Sequence, residues 1–104
     1  MDAQLKKGLL EICVLTVLRE EESYGYKIIS DLAPHIEISE STLYPILRRL
    51  EQSGAVRTRC AEHNGRLRRY FKLTPTGLRK IEEFIETIEE FEKISKFILQ
   101  GERE

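Results

Sequence analysis

The sequence predicts a mainly α-helical domain with one small β-hairpin, class α+β, and three observations carry that expectation. Four stretches repeat apolar residues at helical spacing, and two short alternating stretches flank Asn64-Gly65. The 104 residues, 40% apolar and 34% charged, suffice for one small core and are too rich in apolar side chains for a disordered tail.

The first helix is expected over 3–21. Leu5, Leu9, Ile12 and Thr16 form one stripe, and Leu10, Val14, Val17 and Leu18 another. A helix apolar on nearly every side is buried on nearly every side. In so short a chain that cover must come partly from a second copy. A shorter helix fits 24–33, with Tyr26, Ile28, Ile29, Leu32 and Ala33 inward and Pro34 as its stop. A third helix starts with Ser39 or Ser41 as N-cap and buries Leu43, Ile46, Leu47 and Leu50. Pro45 should make it irregular near the start, and Gly54 ends it where a left-handed residue is favoured.

Beyond Gly54, Val56, Thr58 and Cys60 alternate with Arg57 and Arg59, Asn64-Gly65 suits a type I′ turn, and the return strand is 67–74. A two-residue loop pairs Val56 with Leu73, Thr58 with Phe71 and Cys60 with Arg69 on one face. On the other it pairs Arg57 with Lys72, Arg59 with Tyr70 and Ala61 with Arg68, a cationic face with one aromatic. Thr74-Pro75-Thr76-Gly77 then opens a last helix over 76–99. Its stripe Ile81, Ile85, Ile88, Phe91, Ile94 and Ile98 advances by three or four residues each time. A strict heptad from Leu78 fails at Glu92 and Ser95, so this helix is expected to pack on a partner helix and on other elements as well.

Helix, helix, helix, hairpin is the layout of a winged helix-turn-helix, here with an added C-terminal dimerisation helix. Residues 1–75 form the expected DNA-binding domain and 76–104 the dimerisation helix of one compact unit. Charge agrees once it is read by segment. The whole chain carries −1, which taken alone argues against a nucleic-acid partner, but residues 39–80 carry +7 between an N-terminal −3 and a C-terminal −5. A basic middle makes a local field that the total conceals.

The N-terminal residues of the third helix in such a fold reach base edges in the major groove. Ser41, Thr42 and Tyr44 are therefore expected at bases or phosphates, and Arg48 at a phosphate or a guanine edge. Arg49 is either a further DNA contact or the partner of Glu51 or Glu40. On the wing, Arg57, Arg59, Arg66, Arg68, Arg69 and Lys72 crowd together; a phosphate backbone would relieve their repulsion. Arg66 and Arg68, nearest the tip, are placed in a minor groove, and Lys27 on the backbone. The plainer alternative for all of them is a solvated surface with Tyr44 closing the core. Tyr24 and Tyr26 are read as packing residues, and Gly25 as a point of close helix approach.

The wording of the motifs adds to this reading. Thr42-Leu43-Tyr44-Pro45-Ile46-Leu47-Arg48-Arg49-Leu50-Glu51, followed by Gly54, resembles the third-helix motif of the PadR-like family of transcriptional regulators. Ser23-Tyr24-Gly25-Tyr26 with Ile28 is similar to that family's second-helix opening, and Arg68-Arg69-Tyr70-Phe71-Lys72-Leu73-Thr74 with Gly77 to its wing strand and exit turn. The resemblance runs from about residue 5 to about residue 80; one departure is Ser41, where many relatives carry Gly. It implies a winged helix that dimerises through its first and last helices, binds an operator in double-stranded DNA and usually represses. The expected interface is Leu5, Leu9, Ile12, Ile81, Ile85, Ile88, Phe91, Ile94 and Ile98. Relatives respond to phenolic acids or flat cationic drugs, some through a Trp in the last helix. This chain has no Trp and carries Ile88 at the counterpart position, so a hydrophobic or aromatic effector would meet Phe84, Ile88 and Phe91.

Other functions find less in the sequence. Leu9 to Leu18 is too short for a membrane span and Glu11 interrupts it, so no membrane partner and a cytoplasmic location are expected. Cys60 and His63 have a ligand-like spacing, but even with His35 the set is short of the four ligands of a structural zinc. No metal or other cofactor is expected. Cys13 reads as a core residue, whereas Cys60, among arginines, sits where a thiolate would be stabilised for redox sensing. No catalytic triad or glycine-rich phosphate loop is present, so an enzyme is not expected. Two alternatives stand beside the DNA reader: a winged-helix protein-interaction module, and a redox sensor using Cys60.

Overall fold

The computed structural model describes residues 1–103. The chain runs α1 (Ala3–Val17), α2 (Gly25–Leu32), α3 (Glu40–Gln52), β1 (Val56–His63), β2 (Arg66–Leu73) and α4 (Pro75–Arg103). Glu104, the last residue of the expected dimerisation segment, lies outside the described residues.

Helix α1 is shorter than expected. Leu18 folds back on Val14 and Leu15, and the run Arg19-Glu20-Glu21-Glu22 leaves the helix. Three successive carboxylates at a C-terminus oppose the helix dipole, whose negative end lies there. The released turn carries Ser23 beside β2, where its N–H and C=O pair with those of Phe71 at 3.0 and 2.7 Å. Helix α2 ends one residue short of the expected bounds on each side, between Tyr24 and Ala33. Gly25, Ile28 and Leu32 are its buried positions, while Tyr26 and Ala33, expected inward, face solvent. A helix advances about 100° per residue, so Tyr26 lies about 200° from Ile28, on the opposite side.

Helix α3 takes Ser39 as its N-cap, whose Oγ accepts the Thr42 N–H at 3.3 Å, and buries Leu43, Ile46, Leu47 and Leu50 as expected. It continues through Pro45 without a break. Ser41, whose carbonyl lacks an amide partner at Pro45, lies on the solvated side, where water can serve it. The hairpin has the expected register throughout, from Val56 opposite Leu73 to His63 opposite Arg66. Asn64 and Gly65 take φ of 51° and 77°, the left-handed pair of a type I′ turn.

Leu10, Val14 and Leu15 of α1, Ile28 and Leu32 of α2, and the four apolar residues of α3 make the core. Val56 and Phe71 close it from the hairpin, and Ile81 closes it from α4. Ile81, expected at the dimer interface, is only 3% exposed and belongs to the core of this chain itself. Ile12 likewise packs partly against that core. The first turns of α4 are thus built into the winged-helix core, and only the later turns project beyond it.

The exit of α3 and the entry of α4 meet at one backbone junction. Gly54, at φ 79°, lets Ala55 N–H return to the Leu50 carbonyl at 2.8 Å and its own N–H to Glu51 at 3.0 Å, closing the helix. The Ala55 carbonyl accepts the Thr74 N–H at 3.1 Å. The Thr74 hydroxyl donates to the Gly54 carbonyl and accepts the Gly77 N–H at 3.1 Å, capping α4. Gly77 passes so close that a Cβ there would strike the Ala55 carbonyl oxygen.

Gly77→Ala should therefore destabilise. Alanine normally gains ~1 kcal/mol over glycine in a helix. Overpacking against fixed backbone outweighs that gain, for an expected net loss of about 1–3 kcal/mol in urea unfolding. A variant as stable as the parent would show that the junction has room to spare.

Candidate nucleic-acid interface

Two elements bring the expected site residues to the surface. On α3, Ser41, Thr42, Tyr44, Pro45 and Arg48 are exposed around the buried stripe. The Ser39 and Ser41 hydroxyls lie 3.0 Å apart, and Ser39 Oγ lies 3.1 Å from Thr42 Oγ1, so the helix opens on a cluster of hydroxyls. Tyr44 leans across the start of α2. A Cβ at Gly25 would come within 2.5 Å of its phenolic oxygen, so glycine is what admits the ring. Arg48 is exposed and makes no ion pair among the described residues.

Arg49 differs from that set. Its Nε donates to Glu11 Oε1 at 3.1 Å, tying α3 to α1, so neither Glu51 nor Glu40 is its partner. Lys27, expected on a DNA backbone, is held between Glu21 at 3.0 Å and Asp31 at 3.5 Å. Those carboxylates, chiefly the hydrogen bond to Glu21, raise its pKa. Both cations are engaged within the chain.

The wing carries two different faces. On one, Arg59 Nε donates to Glu22 Oε2 at 3.0 Å and its Nη2 reaches the other carboxylate oxygen. The Arg59 guanidinium also stands 4.6 Å from the Tyr70 ring centre. Tyr70 meets Tyr24 edge to face at 5.8 Å, and Arg68 lies 3.8 Å over the Tyr24 ring. The sequence Glu22, Arg59, Tyr70, Tyr24, Arg68 is one continuous stack joining the turn before α2 to the outer half of the wing. On the opposite face Glu51 receives Arg69 Nη2 and Thr58 Oγ1, each at 2.8 Å, and holds the hairpin to α3. Arg57, Arg66 and Lys72 are exposed and make no ion pair among the described residues.

Tyr24, Tyr26, Tyr44, Arg66 and Arg68 border one crevice of about 430 Å³ between the start of α2, α3 and the wing turn. Tyr26 is 74% exposed and was missed as a surface residue. The signal was available, because Ile28 and Leu32 fix the buried side of α2 and place Tyr26 opposite. Leu67, at the wing tip, is equally exposed and had no signal beyond its position next to the turn.

The other expected sites are distributed differently. Ile85, Ile88, Phe91, Ile94 and Ile98 form a solvent-facing apolar stripe along the projecting part of α4, with Phe91 61% exposed. Leu5 is exposed and Leu9 half-buried at the start of α1. The expected effector trio closes no pocket among the described residues. Phe84 lines a shallow hollow with Ile12, Lys80, Glu83 and Thr87, whereas Ile88 and Phe91 stand in solvent. Cys13 is partly buried, which raises its thiol pKa. Cys60 is exposed, and its cross-strand neighbour Arg69 is engaged by Glu51. Cys60 and His63 are three apart on a strand and so project from opposite faces. No helix among the described residues is long and apolar enough to cross a membrane.

The Arg59 hydrogen bond is the largest cause that holds the Glu22 carboxyl below its ordinary range; burial opposes it, and the charges of Arg59 and Lys72 add to the lowering. A depressed carboxyl stabilises the fold above the ordinary carboxylate range and loses that contribution as pH falls through its lowered value. Arg59→Ala should return Glu22 to the ordinary range in a ¹³C-carboxyl NMR titration. Identical titration curves in parent and variant would mean that the pair does not persist in solution.

The same combination of elements occurs in known proteins. The model of the family described as "Transcriptional regulator PadR-like family" matches residues 14–83. The X-ray structure of a PadR-like transcription factor from Bacteroides fragilis superposes with a TM-score of 0.82 at 32% identity, covering 92% of this chain and 95% of that one. A transcriptional regulator of Mycobacterium tuberculosis is 28% identical over 100 residues, covering 95% of this chain and 91% of its own length. Bacillus subtilis PadR, solved in complex with operator DNA, shares the fold at a TM-score of 0.70 and 23% identity, over 74% of this chain and 46% of that longer one. With the third-helix and wing motifs inside the matched residues and the fold superposing almost end to end, the chain belongs to the PadR-like family of transcriptional regulators.

Proposed function

We propose that the protein is a homodimeric, operator-binding regulator, with residues 1–75 as its DNA-binding part and 76–104 as its dimerisation segment. The observation that carries this reading is the continuity of one surface. The exposed start of α3, with Ser41, Thr42, Tyr44 and Arg48, adjoins the crevice bordered by Arg66 and Arg68. In this reading α3 enters a major groove, where Tyr44 and Arg48 meet base edges or phosphates. Arg66 and Arg68 enter the neighbouring minor groove, and Arg57 and Lys72 follow the backbone. Arg49, Arg59 and Lys27, each held by carboxylates, are left out of the contact set. That a protein of the same fold, Bacillus subtilis PadR, was solved with operator DNA supports DNA as the partner.

The partner copy is argued from α4. Contiguous exposed apolar patches of this kind mark association surfaces. The stripe from Ile85 to Ile98 spans about 20 Å at 1.5 Å per residue. Paired stripes would bring Phe84, Ile88 and Phe91 of two copies together, and a hydrophobic or aromatic effector would act there. A two-fold dimer reads a pseudo-palindrome with half-sites about 34–36 Å apart or a multiple of it. Repression by occupancy of a promoter, in the cytoplasm, is the expected outcome.

Fluorescence anisotropy on the protein's own upstream DNA, at several salt concentrations, tests the first half. Tyr44→Ala and Arg48→Ala should each weaken specific binding by about 1–3 kcal/mol. If both bind like the parent, α3 is not the reader; if the parent shows no salt-dependent binding, DNA is not the partner.

Sedimentation velocity tests the second half. The parent should run as a dimer at micromolar concentration, and Ile88→Glu with Phe91→Glu as a monomer with unchanged circular dichroism. A monomeric parent would remove the homodimer from the reading.

A further inference from the structure

The basic segment does not present all of its charge. Three of its arginines are neutralised by glutamates outside the wing: Arg49 by Glu11 of α1, Arg59 by Glu22 of the turn before α2, and Arg69 by Glu51 of α3. The Glu11 and Glu51 pairs join α3 to α1 and to the hairpin, and Glu51 also takes Thr58, so both have a structural task. The Glu22 pair differs. The Arg59 side chain is 54% exposed, on the same hairpin face as Arg57, Lys72 and Arg68. Glu22 therefore sets a carboxylate within a row of cations, gripping one guanidinium through two of its nitrogens. Ser23, next in the chain, is already fixed to Phe71 by two backbone hydrogen bonds, so the pair is not needed to seat the turn.

A guanidinium that grips a carboxylate in fork geometry is matched equally well to a phosphate, and one cannot take the other without letting go. We infer that Glu22 is a built-in competitor of the DNA backbone, withholding Arg59 from phosphate and thereby lowering the protein's sequence-independent affinity for duplex DNA. The inference rests on the DNA-binding reading above. Charge on the wing raises affinity for every duplex alike, and a regulator that sheds part of it spends less time on the wrong sites. The depressed Glu22 carboxyl keeps the competitor charged throughout the neutral range.

The test is the salt dependence of binding to a random-sequence duplex, measured by anisotropy on the full chain. Glu22→Gln keeps the size and polarity of the side chain and removes its charge. It should bind severalfold tighter at low salt, with a log–log slope steeper by about 0.9, as for one added phosphate contact; that gain shrinks roughly threefold between 50 and 200 mM salt. Glu20→Gln removes the same charge from the same turn without touching Arg59, and separates pairing from long-range repulsion. In an Arg59→Ala background, Glu22→Gln should have no effect beyond that of Glu20→Gln. Equal effects of the two glutamine variants, an effect that survives in Arg59→Ala, or weaker binding by Glu22→Gln would each overturn the inference. A parent that binds no duplex at any salt would overturn the DNA reading itself, a result distinguishable from all three.

Discussion

Two helices and both strands of the wing meet where the Ala55 carbonyl accepts Thr74 and lies against Gly77. Gly54 turns the chain out of α3, Thr74 caps α4, and one threonine hydroxyl serves both ends by donating to Gly54 and accepting from Gly77. Buried backbone groups must find partners. Here they find them in each other, so the direction of the hairpin and the launch angle of α4 are set together. Lys80 adds a further tie, donating to Ser53 Oγ at 3.1 Å. The position of the wing relative to α3, and of α4 relative to both, follows from this junction. The candidate interface and the projecting stripe inherit their geometry from it.

Electrostatics divides the basic residues into two populations. Arg48, Arg57, Arg66 and Lys72 face solvent without an ion pair among the described residues, whereas Arg49, Arg59, Arg69 and Lys27 are held by carboxylates. Exposed ion pairs contribute little to stability, about 0–1 kcal/mol each. Their larger effect is to decide which cations are available to a partner and which way the wing leans. Arg68 belongs to neither population, since it covers the Tyr24 ring while remaining at the edge of the crevice.

A chain this size faces a second constraint, the ratio of surface to core. The core of the chain takes in the inner face of α1, the inner faces of α2 and α3, the base of the hairpin and the beginning of α4. It has nothing left with which to cover Ile85, Ile88, Phe91, Ile94 and Ile98. The same shortage leaves Leu5 exposed at the other end of the apolar first helix.

Much of this was readable in order. Apolar spacing located all four helices, Ser39 and Gly54 bounded α3, and Asn64-Gly65 alone set a hairpin register that holds for every pair. Those features are local, decided by residues within a turn or a strand of one another. The errors were of another kind. Ile81 belongs to the same stripe as Ile85 and Ile88 by periodicity, and only the depth at which α4 enters the core separates them. Arg49 chose Glu11 over nearer glutamates, Arg59 chose Glu22, and Arg69 chose Glu51, across separations of 38, 37 and 18 residues. Composition and spacing by themselves determined the elements, their order and the basic character of the middle segment, because propensity, caps and turns act within a few residues. Only the tertiary structure decided which cations stay free, which tyrosines face solvent and where the core stops, because charge pairing and burial depend on distances that sequence separation does not carry.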